Sequence, residues 1–312
     1  RRMACPLRSV RNTTSDVQRS ARFVRLDDDA VNREAALIRE KQAGPPTWNH
    51  NGVHYDGEPE LLAQYLLVLD SINFCFWPDE TWEYDNLALA LKKALEQDPT
   101  SFSAENLARL SGQQLAGWLG GPLPLMDERV RLLREIGEGL QENFDGSAAT
   151  LVRRANKSVS TLTKLILAHF PGFRDAAVCN GRQVFLYKRV QIFIGDIWGA
   201  FGGQGLGEFG DMELLTTFPD YRVPQLLRAI GVLEYTKDLA DRIDHLVEIE
   251  PGSREEVEIR AFTVQAVEAI KVALAKLGVN RSSVEIDWDL WQRGEEQRQE
   301  LLPHHRTLTI FY

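Results

Sequence analysis

Acidic residues alternate with aromatic residues in three stretches of this 312-residue sequence, at 72–84, 218–222 and 287–291. Aromatic rings stack on the faces of a flat heterocycle, while carboxylates accept hydrogen bonds from its N–H groups. The pattern is therefore typical of a nucleobase pocket. Packing of the same rings in a hydrophobic core is the alternative interpretation.

Asp220 stands out within the second stretch, because it follows Phe218 and Pro219 and precedes Tyr221. Proline fixes its own φ, so the carboxylate lies in a stiff bend. A surface turn is the simpler explanation, since proline and aspartate are ordinary turn residues. The alternative explanation is that the bend holds the carboxylate of Asp220 rigidly for a catalytic role.

Helical periodicity dominates the rest of the chain and predicts a mainly α protein with minor β-strands. We expect a single helical body, with a division into two lobes as the alternative. An exposed N-terminal arm is expected at 1–44, and its arginine-rich residues 1–25 also resemble a transit peptide. The body spans 45–312. Helices are predicted at 58–73, 86–98, 103–110, 127–144, 151–170, 187–201, 224–235 and 253–278. For 187–201 the periodicity also allows a strand. Strands are predicted at 185–189 and 307–312, and a short hairpin at 180–188.

The composition excludes several classes of protein. A net charge of −9 argues against coating a polyanion, because such affinity comes from lysine and arginine. Three scattered cysteines form no visible disulfide framework, which favours a reducing compartment and predicts a cytoplasmic protein. No apolar run approaches the roughly 20 residues that span a bilayer.

The histidine pairs do not predict a metal site. His50 and His54 have a spacing of four, but their Asn- and Gly-rich segment does not favour the helix that would bring them together. The adjacent His304 and His305 point in different directions. We therefore expect no metal.

Several motifs, taken in order, resemble the queuosine salvage proteins: LDSINFCFWP (69–78), PLMDERVRLL (124–133), FPGFRD (170–175), YKRVQI (187–192), FPDYRVPQ (218–225), EVEIRA (256–261) and PHHRTLTIFY (303–312). The resemblance runs from about residue 45 to the last residue. One departure is Pro219, where the family usually has alanine. This substitution leaves the pose of the following acid open.

The resemblance implies hydrolysis of queuosine 5′-phosphate to queuine and ribose 5-phosphate. It also implies a helical fold similar to base-excision DNA glycosylases, with neither a metal nor a redox cofactor. The expected partner is this small molecule rather than intact tRNA or a membrane; the oligomeric state stays open. A non-catalytic queuine or nucleotide carrier is the alternative, and a repair glycosylase acting on nucleic acid is disfavoured by the charge and the missing basic stripe.

The matching motif makes Asp220 the candidate catalytic residue. Cleavage of an N-glycosidic bond builds positive charge on the ribose, and a carboxylate stabilises that charge. Its role as nucleophile, general base or charge stabiliser stays open. Asp287 is the candidate acceptor for the guanine-type edge, which presents two adjacent donors; Asp289 is the rival, and a helix N-cap is the structural alternative for Asp287.

The remaining candidates surround this substrate. Phe218, Tyr221 and Trp288 are expected to stack on or enclose the base, and His50 to reach the substrate from its loop. Lys188 and Arg222 are expected to bind the 5′-phosphate or to orient Asp220, and Asp196 to meet the amine of queuine. For Lys188 and Arg222 an ordinary structural ion pair explains the sequence equally well. For Asp196 a role on the helix surface or in a core pair is favoured.

Overall fold

The computed structural model describes residues 5–41, 44, 47–49, 51–79 and 81–312. Within these residues the α-helices, in chain order, are α1 Pro6–Arg19, α2 Asp28–Glu40, α3 Pro59–Ser71, α4 Tyr84–Gln97, α5 Ala104–Ala108, α6 Gly112–Leu119, α7 Met126–Asn143, α8 Ala148–Arg154, α9 Val159–His169, α10 Lys188–Ala200, α11 Arg222–Ala229, α12 Lys237–Asp244, α13 Arg254–Lys276 and α14 Ser283–Glu296. The strands are β1 Val24–Leu26, β2 Ala176–Cys179, β3 Arg182–Phe185 and β4 Leu233–Tyr235. The prediction of a mainly α fold with minor strands is confirmed.

The chain divides into two compact units, each built from separate segments. The first comprises Arg1–Pro46, Asp175–Gln191 and Met212–Thr309, and the second comprises Thr47–Arg174, Ile192–Asp211 and Ile310–Tyr312. None of the described helices is long and apolar enough to cross a membrane.

The first unit is organised around α13, which packs against α1, α2, α11 and α14. Its core includes Ile259, Phe262 and Leu226, all of which are buried. Burial of such apolar side chains is the main source of stability. Strands β1 and β4 pair antiparallel, and β2 and β3 form a hairpin.

The β2–β3 hairpin turns at Asn180 and Gly181, whose φ angles are 51° and 72°. Two consecutive positive φ angles are the requirement of a type I′ turn, which Asn-Gly satisfies best. The hairpin predicted from this dipeptide is therefore confirmed.

The second unit packs its helices closely at one glycine. A Cβ atom on Gly137 of α7 would lie 2.3 Å from the backbone nitrogen of Ala108 in α5. Nearby, the fully buried Arg129 donates to the carbonyl oxygens of Ile72 at 2.6 Å and Cys75 at 2.8 Å. These bonds satisfy carbonyls that follow the end of α3.

The predicted exposure of the N-terminal arm is wrong. Leu7 and Val10 of α1 are fully buried, and this helix packs on α13. The amphipathic face of α1 supplies part of the core of the first unit. The division of the chain into an arm at 1–44 and a functional domain at 45–312 stays a prediction.

Four predicted elements also need correction. The helix expected at 151–170 is two helices, because Asn156 and Lys157 adopt positive φ angles of 49° and 60°. The helix expected at 224–235 begins at Arg222 and ends at Ala229, and β4 follows it. Residues 307–312 form no strand. The strand predicted at 185–189 is also wrong, because β3 ends at Phe185 and α10 begins at Lys188.

Candidate functional site

Asp220 lies at the N-terminal end of α11, in the first unit. The backbone N–H of Val223 donates to its Oδ1 atom at 3.0 Å, and this bond satisfies a donor in the first turn of the helix. The side chain is buried, with 9% of the residue exposed, so an ordinary surface turn is excluded. Oδ2 accepts no hydrogen bond from the described part of the chain.

The charges around Asp220 act in opposite directions. Burial raises the pKa of its carboxyl, while the positive charges of Lys188 and Arg222 lower it and the negative charge of Glu295 raises it. Lys188 and Arg222 are themselves buried. Two buried cations therefore stabilise the ionised form of a carboxylate that burial destabilises.

Asp287 lies within α14 rather than at its start. Ser282 is the N-cap of this helix and accepts a hydrogen bond from the N–H of Glu285 at 3.2 Å, so the N-cap alternative for Asp287 is wrong. The rival acid Asp289 is only half-buried and lies 3.3 Å from the guanidinium of Arg293.

Asp287 is tied to the segment that leads to Asp220. Its Oδ1 atom accepts hydrogen bonds from the N–H of Phe218, at 2.8 Å, and from the hydroxyl of Thr217. Its Oδ2 atom accepts none from any described residue. Thr217 was not among the predicted site residues, although it directly precedes the FPDYR motif.

The environment of Asp287 favours its protonated form. Burial raises the pKa of this carboxyl to about 8, and the negative charge of Asp220 adds to the effect. The hydrogen bonds from Thr217 and Phe218 and the charge of Lys188 act in the opposite direction. Two acids that interact in one site resist being ionised together, and the raised pKa of Asp287 favours its neutral form.

A buried ion pair fixes the other side of the Asp220 segment. Arg260 donates to both oxygens of Asp175, at 2.9 and 2.7 Å, and its Nε donates to the carbonyl oxygen of Pro219 at 2.9 Å. Asp175 also accepts from the backbone N–H of Lys188 at 3.0 Å. Sequence reasoning did not select Asp175 or Arg260 as site residues, yet both belong to the motifs that carried the resemblance.

The aromatic candidates have structural neighbours of their own. The ring of Tyr221 stacks on His304, with 4.2 Å between ring centroids and an angle of 23° between the ring planes. Burial lowers the pKa of His304 to about 3, so this imidazole is neutral at physiological pH. Phe218 is buried, and Trp288 is half-buried next to Asp287 in α14. One face of Tyr221 is therefore occupied by protein.

Arg222 forms an ion pair within the first unit. Its Nε donates to Oε1 of Glu295 at 2.6 Å, and its Nη1 donates to the side-chain oxygen of Gln225. The alternative of an ion pair, left open for this residue, is thus realised. Binding of the substrate phosphate by Arg222 stays a prediction.

Asp196 lies in the second unit, where ring donors surround it. Its Oδ1 accepts from the indole N–H of Trp48 at 3.0 Å, and its Oδ2 accepts from the hydroxyl of Tyr84 at 3.4 Å. Trp48 stacks on His54 with 4.2 Å between ring centroids. Asp196 is thus buried and hydrogen-bonded within the second unit, and its contact with the amine of queuine stays a prediction. His50 lies outside the described residues.

The described residues contain no group of three or more histidine, cysteine, aspartate or glutamate side chains that could hold a metal ion. His305 is buried and His304 is half-buried, and desolvation lowers the pKa of both.

Comparison with known proteins gives a consistent result. A family model described as "Queuosine salvage protein" matches residues 53–312. A Dictyostelium discoideum protein named queuosine 5′-phosphate N-glycosylase/hydrolase is 45% identical, over 98% of this chain and 99% of its own. A protein of the same name from Sphaerobacter thermophilus is 42% identical, over 97% of this chain and 97% of its own. Another from Mus musculus is 32% identical, over 99% of this chain and 100% of its own. The resemblance found in the sequence motifs is confirmed.

Proposed function

The chain belongs to the queuosine salvage protein family, and on this premise we propose that it hydrolyses the N-glycosidic bond of queuosine 5′-phosphate. The products are queuine and ribose 5-phosphate. Queuine released in this way serves the modification of tRNA. The substrate is a small nucleotide rather than intact tRNA, in keeping with the net charge of −9.

The observation that supports this function best is the environment of Asp220. Its carboxylate is buried, its Oδ1 is fixed by a backbone N–H, and the charges of Lys188 and Arg222 favour its ionised form. A preorganised negative charge in a site that excludes water stabilises a developing positive charge strongly. The oxocarbenium-like ribose of a glycosidic cleavage carries such a charge.

The chemistry of the leaving base increases the importance of this carboxylate. An ordinary purine is helped to leave by protonation at N7, but a 7-deazapurine has carbon at that position. Most of the rate acceleration must therefore come from the sugar side. In our proposal Asp220 lies beside the ribose and stabilises the positive charge, attacks the anomeric carbon, or activates the water that does so.

Asp287 is our candidate for binding the base. Its Oδ2, which accepts no hydrogen bond from the described residues, accepts from the guanine-type edge, while Oδ1 stays on Thr217 and Phe218. Because burial raises the pKa of this carboxyl, a ligand that presents two N–H donors favours its ionisation. Phe218, Tyr221 and Trp288 remain the candidates for enclosing the base, and Lys188 and Arg222 for the phosphate.

The direct test is incubation of the protein with queuosine 5′-phosphate, followed by mass spectrometry of free queuine and ribose 5-phosphate. We expect both products in equal amounts. A carrier with the same pocket would bind the nucleotide and return it intact. Parallel incubation with the nucleoside queuosine measures the contribution of the phosphate.

The matched variants are Asp220→Asn and Asp241→Asn. Asparagine keeps the acceptor for the Val223 N–H and removes the charge, so we expect kcat to fall by about 10²–10³-fold. Asp241 is an exposed acid on α12 that pairs with Lys237, and its variant should keep full activity. A fully active Asp220→Asn protein would refute the catalytic role of this residue.

A further inference from the structure

Arg11, in the N-terminal helix α1, contacts the chain segment that leads to Asp220. Its Nη1 donates to the carbonyl oxygen of Leu214 at 2.8 Å, and its Nη2 donates to those of Glu213 at 3.0 Å and Leu215 at 2.7 Å. Three consecutive carbonyl groups thus bind one guanidinium. The last of them lies five residues before Asp220.

A carboxylate on α13 orients this guanidinium. Glu268 accepts from Nε of Arg11 at 2.9 Å and from its Nη2 at 3.2 Å. The side chains of Arg11 and Glu268 are 25% and 21% exposed, so the pair is only partly screened by solvent. Paired hydrogen bonds between a planar guanidinium and a carboxylate fix direction as well as distance.

The same carboxylate also reaches the helix that carries Asp287. The hydroxyl of Ser283, the first residue of α14, donates to Oε1 of Glu268 at 2.6 Å. Asp287 follows four residues later, one helical turn along. Glu268 therefore joins Arg11, which holds the segment of Asp220, to the start of the helix that presents Asp287.

Further bonds along the segment complete its support. Gln191 accepts from the backbone N–H of Thr216 at 2.8 Å, Asp287 accepts from that of Phe218, and Arg260 donates to the carbonyl of Pro219. Among the described residues, the N-terminal helix α1 supports this segment through one side chain, Arg11, which binds the carbonyl groups of residues 213–215. Gln265 in turn fastens α1 to α13 by donating to the carbonyl of Arg11 at 3.1 Å and to the hydroxyl of Thr14 at 2.8 Å.

We propose that Arg11 is a positioning residue for the hydrolysis: it holds residues 213–215 so that the Asp220 carboxylate stays aligned with the ribose. This inference rests on the proposed function. The arginine-rich N-terminal segment thereby acquires a role in the reaction that its composition did not reveal. Since a small displacement of a reacting group lowers the rate steeply, loss of the three carbonyl contacts should act mainly on kcat.

The test compares Arg11→Ala with Arg8→Ala on the same helix. Arg8 is exposed, and its side chain makes no hydrogen bond with the described residues. We expect kcat of Arg11→Ala to fall about 10- to 100-fold, with KM changed by less than about threefold, and Arg8→Ala to match the wild type. Arg11→Lys keeps the charge without the planar fork and should recover only part of the rate.

Hydrogen–deuterium exchange supplies a measurement that does not depend on activity. Amides in peptides that cover residues 213–221 should exchange faster in Arg11→Ala than in the wild type. Their exchange rate in Arg8→Ala should equal that of the wild type. If Arg11→Ala proves unstable, Glu268→Gln replaces it, because it removes the charge that orients the guanidinium while keeping the shape of the side chain. The same direction of change in kcat and in exchange is expected.

A kcat of Arg11→Ala within about twofold of the wild type, per folded molecule, would overturn the positioning role. Unchanged exchange of residues 213–221 would overturn it as well. If instead the wild type releases no queuine, the proposed function fails, and the exchange measurement still shows whether Arg11 holds the segment. The two failures are thus distinguishable.

Discussion

The backbone N–H of Phe218 donates to Oδ1 of Asp287 at 2.8 Å. Phe218 precedes Asp220 by two residues, so the helix α14 and the segment of the candidate catalytic acid are joined by a direct hydrogen bond. A backbone donor has little freedom to move, unlike a long side chain. The two candidate carboxyl groups are therefore held in a fixed relationship before any ligand binds.

The raised pKa of Asp287 predicts a pH dependence of stability. A carboxyl whose pKa is about 8 in the folded protein and near 4 in the unfolded chain binds a proton more strongly when folded. Its contribution to the free energy of unfolding is complete at about pH 4 and below, and it is lost as the pH rises to about 8.

Asp287→Asn mimics the neutral acid and removes this dependence. Between about pH 5 and pH 8 the free energy of unfolding of the wild type should fall with a slope steeper by up to about 1.4 kcal/mol per pH unit than that of the variant. Urea denaturation at a series of pH values measures both slopes, with Asp289→Asn as the control. Parallel curves for wild type and Asp287→Asn would contradict the assignment.

The interaction of the two acids makes a second prediction. The negative charge of Asp220 raises the pKa of Asp287, so Asp220→Asn should lower it. The carboxyl of Asp287 can be followed by NMR or by difference infrared spectroscopy. Asp241→Asn changes an exposed acid on α12 that pairs with Lys237, and it should leave the pKa of Asp287 unchanged. A pKa of Asp287 that does not fall in Asp220→Asn would show that the two groups do not interact.

Lys188 carries the third prediction, because its positive charge lowers the pKa of both acids. Lys188→Met keeps a similar length and removes the charge, so the pKa of Asp220 should rise. If ionised Asp220 is required for hydrolysis, the acidic limb of the kcat/KM profile then moves to higher pH.

The profile is measured with queuosine 5′-phosphate for the wild type, Lys188→Met and Lys237→Met. Lys237 is exposed on α12 and pairs with Asp241, so its variant should reproduce the wild-type profile. An acidic limb in the same position for all three proteins would rule out an electrostatic role of Lys188 in the reaction. A change confined to KM would instead point to phosphate binding.

The long helices could be predicted from the sequence because periodicity and capping agree in them. The helix predicted at 253–278 is found at Arg254–Lys276, with Ser253 as its N-cap. The break between α8 and α9 could not be predicted, since neither proline nor glycine marks it. Asn156 and Lys157 adopt positive φ there, and Ser158 caps the following helix. Asn156 and Ser158 are residue types that suit a helix end and a helix start, but the apolar periodicity continues across them and favoured one long helix.

The candidate site was predictable only in its local motifs. The FPDYR stretch pointed to Asp220, and the acidic and aromatic stretch 287–291 pointed to Asp287. Their connection through Thr217 and Phe218 joins residues about 70 positions apart. The contact of Arg11 with Leu214 spans 203 positions. Periodicity and residue spacing describe one element at a time, so contacts of this kind appear only when the chain is folded.

The close approach of α5 and α7 gives the last prediction, which concerns stability. A Cβ on Gly137 would lie 2.3 Å from the backbone nitrogen of Ala108 and 2.5 Å from the carbonyl oxygen of Ala104. Backbone atoms cannot rotate away as a side chain can, so Gly137→Ala must separate the two helices. We expect a loss of about 1–3 kcal/mol in the free energy of unfolding.

Gly117→Ala is the matched control, because a Cβ there meets no atom within 4 Å and the residue is exposed on α6. Alanine is the better helix former, so this variant should be unchanged or stabilised by up to about 1 kcal/mol. Thermal unfolding followed by circular dichroism ranks the three proteins. If Gly137→Ala melts at or above the temperature of the wild type, α5 and α7 do not approach each other as closely as the structure shows.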